Sequence, residues 1–414
     1  MTGPFQFDAI FNLLLLVTVI TLIAKRLHFP YTIALIVAGL SSTLIPRFPI
    51  SIDIGSEVFT SLLLPPIIFQ ETLHLDIEGL IDDSDTILGY AVAGTLMMVV
   101  AVALFSFFLL GFSPIEAFLL GVIIAPTDPV AVIATFRSLG VIKRFQLLVS
   151  GESLFNDGVA IVIYSIIVSI IRMGTITVSD VAKISIVSVV GGILLGVAAG
   201  YIVHILFCWT DDKFAEVLIS FIAAFGVFRI AEELGASGVI ATVLTGLIIN
   251  YRTTNFGGLG DSKDMLDALW EFVGFTASSI AFIFIGVNLD TEALTKYILS
   301  VAALTVFILV ARYVMVEGIA MVIEKASGKR LPTNWRRGIF WSGLRGAVSV
   351  VLALGVDSLN LPHGEGLKAL TFGVVLATNF VQGLSMGEVV QRLGLTLTRR
   401  IISSEPIVTD DSSV

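Results

Sequence analysis

Charge is scarce in this chain. Of its 414 residues only 14% are Asp, Glu, Lys or Arg and 56% are hydrophobic, whereas an ordinary soluble domain carries about 25% charged residues. A soluble protein of this length would need far more polar surface to cover its cores. Cysteine is almost absent too: Cys208 stands alone, which excludes an internal disulfide and any metal cluster built on thiolates. The four histidines, His28, His74, His204 and His363, are scattered with no ligand spacing, which argues against a resident metal and leaves no cofactor to expect. No run of lysine or arginine occurs and the net charge is −9, so nucleic acid is not an expected partner. Nothing resembling a small-residue cleavage site follows the first apolar stretch, which is too long for a signal peptide and is read as a retained helix.

The sequence abounds instead in long apolar blocks. Phe7 to Ala24, Leu88 to Leu110, Ile184 to Phe207, Phe272 to Val287 and Val301 to Val316 run with few charges or none. A helix needs roughly 20 mainly apolar residues to cross a bilayer, where every backbone group must bond internally. Membrane lipid is therefore the expected surrounding. Splitting the blocks at charged or Pro/Gly-rich turns predicts an all-α protein of about thirteen spans, near 5–24, 30–46, 55–73, 86–110, 114–136, 146–171, 183–208, 214–232, 236–250, 265–289, 297–323, 335–356 and 366–388. With the N-terminus outside, sixteen lysines and arginines fall in inside loops and five in outside loops. Basic residues mark the cytoplasmic side, so the C-terminus is expected inside. A short polar cytoplasmic tail, 389–414, follows the transmembrane part, 1–388.

Ionisable residues inside spans are costly unless paired or wet, and each is a functional candidate. Here they are Glu71, Asp128, Glu152, Asp157, Arg229, Arg312, Glu317 and Arg345. Near helix ends snorkelling accounts for them, and Arg229 beside Glu232 and Glu233 reads as structural. Asp128 lies in Ala125-Pro126-Thr127-Asp128-Pro129, mid-way along an apolar stretch. Two prolines three apart remove two donors and clash with the preceding turn, so the helix must unwind and free carbonyls that can coordinate a cation. Irregular backbone survives at this depth only inside protein or along a cavity. The simpler reading makes Asp128 the cap of a half-helix at a proline kink.

Glu152-Ser153-Leu154-Phe155-Asn156-Asp157 follows on the next span. At 100° per residue Glu152, Ser153, Asn156 and Asp157 share an arc of about 140°. Such a face implies a polar partner, with Thr127 and Asp128 the expected one. Two carboxylates in a low-dielectric cavity cannot both ionise cheaply, so the pair can take either a proton or a metal cation. Arg312 is deep in the eleventh span and always charged; it could neutralise Glu152. Arg345, between Gly343 and Gly346, suggests a second weakened helix, its guanidinium held by carbonyls or by a carboxylate.

These motifs, in this order and spacing, resemble the monovalent cation/proton antiporters, most closely the NhaP-type branch of bacteria and archaea related to animal sodium/proton exchangers. Leu64-Pro65-Pro66-Ile67-Ile68-Phe69 and Val381-Gln382-Gly383 match as well. The resemblance implies an inverted-repeat fold with broken, crossing helices. It implies a mobile core near 86–171 and 297–388 and a dimerisation scaffold near 5–73 and 214–289. The ion-binding aspartate falls on Asp157, further cation ligands on Thr127, Asp128 and Ser153, and the structural ion pair on Glu152 and Arg312. Asp157 and Asp128 would be the exchanging carboxylates, with Asn156 and Arg345 tuning the site. The implied activity is exchange of Na+ or Li+ for H+ at the cell membrane by a homodimer with no enzymatic step. Asn156-Asp157, where electrogenic relatives carry two aspartates, suggests one-for-one, electroneutral exchange. One departure stands out: relatives often place glutamate where Gln70 stands here, with Glu71 one residue late, and Glu71 is left out of the expected site.

A K+/H+ antiporter of the same fold is the alternative; a cation channel or a symporter is a weaker one, since no filter-like repeat is visible. Three motif matches are declined. Gly258-Leu259-Gly260-Asp261 resembles an intramembrane protease motif but lies in a polar loop. Gly383-Leu384-Ser385-Met386-Gly387 fits a hydrolase elbow but lies on an apolar helix. Gly192, Gly196 and Gly200 read as close helix packing.

Overall fold

The computed structural model describes residues 7–27, 29–44, 56–174, 177–210, 212–256 and 262–396. The expected tail beyond 396, Arg47 and the Gly258–Asp261 motif lie outside them. Sixteen helices account for most of the described residues: α1 Phe7–Leu27, α2 Tyr31–Leu44, α3 Ser56–Leu73, the short α4 Ile77–Asp82, α5 Ser84–Leu109, α6 Pro114–Ile124, α7 Val130–Leu139, α8 Lys143–Met173, α9 Val178–Trp209, α10 Lys213–Glu233, α11 Gly238–Phe256, α12 Lys263–Val287, α13 Thr291–Ser327, α14 Thr333–Trp341, α15 Ala347–Leu354 and α16 Gly364–Arg392. No named strand occurs among the described residues, where one isolated bridge joins Val141 to Thr396. Seven of the described helices are long and apolar enough to cross a membrane: α5, α8, α9 (from Ser179), α10, α12, α13 and α16.

Local chemistry fixes the helix ends. Ser113 and Glu116 form a reciprocal capping box at the start of α6, with Pro114 in the first turn, where a missing N–H costs nothing. Thr177 and Asp180 do the same for α9, while Asp212 and Asp290 cap α10 and α13. The expected span 114–136 is two half-helices, α6 and α7, separated by unwound residues 125–129. The expected span 335–356 is likewise divided, into α14 and α15, by residues 342–346. Three other helices carry a π-helical segment, at Gly89–Gly94 in α5, Ile222–Gly226 in α10 and Asn379–Gly383 in α16. Such widened turns recur at functional sites.

Helices in lipid associate through close packing and polar contacts rather than hydrophobic burial. The stripe Gly192, Gly196 and Gly200 of α9 lies against Ile240, Ala241, Leu244 and Ile248 of α11, as close helix packing requires. Helix α12 packs on α2 and α3, and α11 on α3, α9 and α10. Elsewhere α5 packs on α6, α8 and α13, and α16 on α13, α6 and α15. Helix α15 touches both sets, resting on α12 and α3 as well as on α6 and α16. At the end rich in basic residues, Arg144 grips Asp83 through two hydrogen bonds of 2.7 Å and Lys329 bonds Asp85 at 2.9 Å. At the opposite end the Glu116 carboxylate, already engaged by Ser113, accepts from the backbone N–H of His363 at 3.1 Å.

Candidate functional site: a crossing of two broken helices

Prolines 126 and 129 make the first break, and the second break crosses it. The Asp128 N–H donates to the Leu344 carbonyl at 2.9 Å, joining the two unwound segments directly. Asp128 then caps two half-helices. Its Oδ1 accepts from the Val130 N–H at 2.8 Å, at the start of α7, and its Oδ2 from the Ala347 N–H at 3.2 Å, at the start of α15. Both N-termini carry partial positive charge that a carboxylate offsets. The capping reading of Asp128 thus describes its bonding, and the choice of a charge over serine follows from the need to serve two helices. Arg345, fully buried, does the converse: its Nη1 donates to the carbonyls of Ala125 and of Pro126, the latter at 3.2 Å, where α6 ends. Of the two options for its guanidinium, carbonyls are what the fold supplies.

Close approach explains the two glycines beside it. A side chain at Gly346 would overlap the Asp128 carboxylate, and one at Gly343 would overlap the Arg312 guanidinium. The freed backbone of the second break is held by the widened turn of α16: Asn379 donates to the Arg345 carbonyl at 2.8 Å and Gln382 to the Trp341 carbonyl at 3.1 Å.

Helix α8 delivers the polar face read from its periodicity. Glu152 pairs with Arg312 at 3.0 Å, both side chains buried, and Arg312 also donates to the carbonyls of Ile339 (3.0 Å) and Phe340 (3.3 Å) at the end of α14. Asn156 donates to the Thr127 hydroxyl at 2.8 Å, and its own carbonyl oxygen accepts from the Thr127 N–H at 3.4 Å. The Ser153 and Thr127 hydroxyls lie 3.0 Å apart. The hydroxyls of Ser153 and Thr127 are therefore engaged with each other, and Ser153 stands behind Thr127 rather than on the cavity wall.

Asp157 differs from these neighbours. It is 5% exposed, and its Oδ1 is buried with no hydrogen-bond partner among the described residues. It borders a cavity of about 10 Å³ together with Ile67, Glu71, residues 126–129 and residues 346–349. That is room for one small ion or water. A second cavity, of about 540 Å³, adjoins it, with Glu71 and Pro129 on the walls of both. It runs past Tyr31, Gln70 and His74 toward the basic end, where Arg137 of α7 faces Glu271 of α12 at 4.0 Å. Among the described residues no three His, Cys, Asp or Glu side chains converge as a metal chelate. The small cavity instead mixes carboxylate, hydroxyl and backbone oxygens, a donor set suited to a hard cation held loosely.

Glu71 and Ser349 are wall residues that motif reasoning passed over. Glu71 was set aside because it follows Gln70, yet Gln70 packs against Gly274 of α12 while Glu71 borders both cavities. Ser349 sits in the first turn after the second break, where a polar residue in an otherwise apolar run, Ala347 to Leu354, was the available signal. Two other in-span charges have ordinary partners: Arg229 bonds Glu233 on an exposed face, and Glu317 pairs with Arg336.

The sequence profile of the family described as sodium/hydrogen exchanger, transmembrane, matches residues 13–392. The chain belongs to that family. Among this exchanger's relatives, the Na(+)/H(+) antiporter NhaH of Halobacillus aidingensis is 33% identical over 409 residues, covering 94% of this chain and 98% of its own. The Na(+)/H(+) antiporter ApNhaP of Aphanothece halophytica is 32% identical over 371 residues, 89% of this chain and 70% of its own. The solved structure of the sodium proton antiporter MjNhaP1 from Methanocaldococcus jannaschii shares the exchanger's fold, with a TM-score of 0.77 at 18% identity over 93% of this chain and 98% of that one.

Proposed function

We propose that this chain exchanges Na+ or Li+ for H+ across the cell membrane, and that Asp157 is the carboxylate that carries both the metal ion and the proton. The unpartnered, buried Asp157 Oδ1 at the small cavity is the observation that supports this reading. A carboxylate left without partner at this depth is expensive. Binding either a proton or a sodium ion neutralises it, and only then does crossing the apolar barrier become cheap. The empty, charged site stays where it is, so exchange is obligatory.

Two of the neighbouring carboxylates are already engaged. Glu152 is balanced by Arg312, and Asp128 has both oxygens on backbone amides. With Asp157 as the exchanging carboxylate at the end of the path and Glu71 at its entry, the swap in this reading is one-for-one and electroneutral. Thr127 and Asp128 on the same wall are the remaining cation ligands in this reading, with Ser153, Asn156 and Arg345 holding them in place. Glu71, on both walls, stands where an ion passes from the larger cavity to the smaller. The larger cavity reaches the basic end, which the positive-inside pattern assigns to the cytoplasm, so this is an inward-facing arrangement with the N-terminus outside. Alternating access follows if α5 to α8 and α13 to α16 move as a core against a scaffold of α1 to α3 and α10 to α12. A homodimer built on that scaffold is the assembly we infer. The cited relatives bear sodium in their names, and no observation favours potassium.

The deciding experiment is reconstitution into liposomes with an internal pH dye, scanning Na+, Li+ and K+ with the membrane voltage clamped and unclamped. Sodium is expected to drive proton movement that voltage does not alter, and Asp157→Asn to abolish it. Exchange retained in Asp157→Asn removes Asp157 from the mechanism.

A further inference from the structure

A second polar atom at the small cavity is also unmatched. The Ser349 hydroxyl is buried, with 1% of the residue exposed, and has no hydrogen-bond partner among the described residues. Serine and threonine hydroxyls inside helices ordinarily bond the carbonyl one turn back. Thr305 does so to Val301, Thr371 to Leu367 and Ser165 to Ile161. For Ser349 that carbonyl belongs to Arg345, which lies in the unwound segment and already accepts from Asn379. The break in the helix therefore leaves this hydroxyl without its usual local acceptor. The hydroxyls of Thr21, Thr242 and Ser279 are also unmatched but do not border the cavity; Ser349 does, as Asp157 does.

We propose that the Ser349 hydroxyl is an oxygen ligand of the transported sodium ion and takes no part in binding the proton. This deepens the exchanger reading and rests on it. The physical argument turns on what each ion needs. A proton needs one oxygen, which Asp157 supplies. A sodium ion entering this cavity sheds water and needs several oxygens in its place. A hydroxyl offers a lone pair without adding charge, so it raises the affinity for the metal and leaves one cation matched to one carboxylate. Residue 349 thereby sets the contest between sodium and hydrogen ion. It also joins the cargo to α15, so that the ion contacts α8, the first break and α15 at once.

The test uses the whole protein in liposomes, with initial rates measured against sodium and thallous ion at alkaline pH, where protons compete little. Ser349→Ala is expected to raise the KM for sodium about tenfold, the scale of one lost polar contact to a charged group. Vmax, and the proton inhibition constant drawn from KM against pH, should not change. Ser349→Thr keeps the hydroxyl and should stay close to wild type. Ser349→Cys puts a soft sulfur where the hard oxygen stood, so it should lose sodium as Ser349→Ala does yet retain the softer thallous ion. Sodium KM values within twofold of wild type in both the Ala and Cys variants overturn the proposal. Equal loss of sodium and thallous ion in Ser349→Cys marks a packing effect and overturns it too. A wild type that moves no protons against sodium removes the exchanger reading itself, and the ligand assignment falls with it.

Discussion

Two buried carboxylates five positions apart on α8, Glu152 and Asp157, show how differently one kind of side chain can be used. Glu152 is tied to Arg312, whose guanidinium also holds the end of α14. Removing one partner of such a pair costs about 3–5 kcal/mol because the other charge stays buried and unmatched. Glu152→Gln should therefore lower the melting temperature in detergent by several degrees, with less effect on the rate per folded molecule. Asp157 has an oxygen with no partner to lose. Asp157→Asn should melt no lower than wild type although it exchanges nothing; a large fall in its melting temperature would show that the carboxylate is structural. The pH dependence follows from the same site. Proton and sodium compete for one carboxylate in the proposed mechanism, so acidifying the side to which sodium is added should raise the sodium KM and leave Vmax, reached at saturating sodium, unaltered. A KM independent of pH would mean separate sites. The α8 face that carries all this was legible from periodicity, because an unbroken helix keeps its phase over the five residues from Glu152 to Asp157. Glu71 was not legible: Pro65 and Pro66 lie inside α3 ahead of it, and a proline-perturbed helix does not carry its phase reliably to the next turn.

At the scale of elements, the two breaks have different origins, and this decided how much of each could be read. The first is written in Pro126 and Pro129, which lack donors wherever they are placed. The second has no proline. Its unwinding depends on partners from elsewhere in the chain: Arg312 against Gly343, Asp128 against Gly346, and Asn379 and Gln382 on its carbonyls. Glycines flanking an arginine hinted at weakness there, but only the tertiary contacts say why the chain opens. Gly346→Ala tests this dependence. Its new methyl would collide with the Asp128 carboxylate, so we expect exchange to fall at least tenfold with overall helix content by circular dichroism preserved. A variant with wild-type exchange would show that the crossing tolerates separation. The uncapped hydroxyl of Ser349 is a product of the same break, which is why a serine in an apolar run gave so little away.

For the whole molecule, α15 and α8 both touch the two helix sets, and the Arg137–Glu271 contact spans the mouth of the larger cavity between α7 and α12. Two exposed side chains 4.0 Å apart contribute little stability, so the contact is more useful as a gauge of movement than as a latch. With Cys208 replaced by serine, Arg137→Cys and Glu271→Cys joined by a bifunctional thiol reagent should stop transport, and either cysteine alone with the same reagent should not. Full activity in the linked protein would exclude relative motion at this point. Span counting could not address such motion, since it says roughly where helices lie and not which of them travel together. Asp128 bears on that question. Its carboxylate is clamped at once to the first amide of α7 and the first amide of α15, while its own amide is clamped to the strand of chain between α14 and α15. Two half-helices knotted through one side chain cannot swing on separate hinges. Whatever carries the cargo must shift them as a single carriage, and lengthening either linker by one residue would uncouple the wheels from the load.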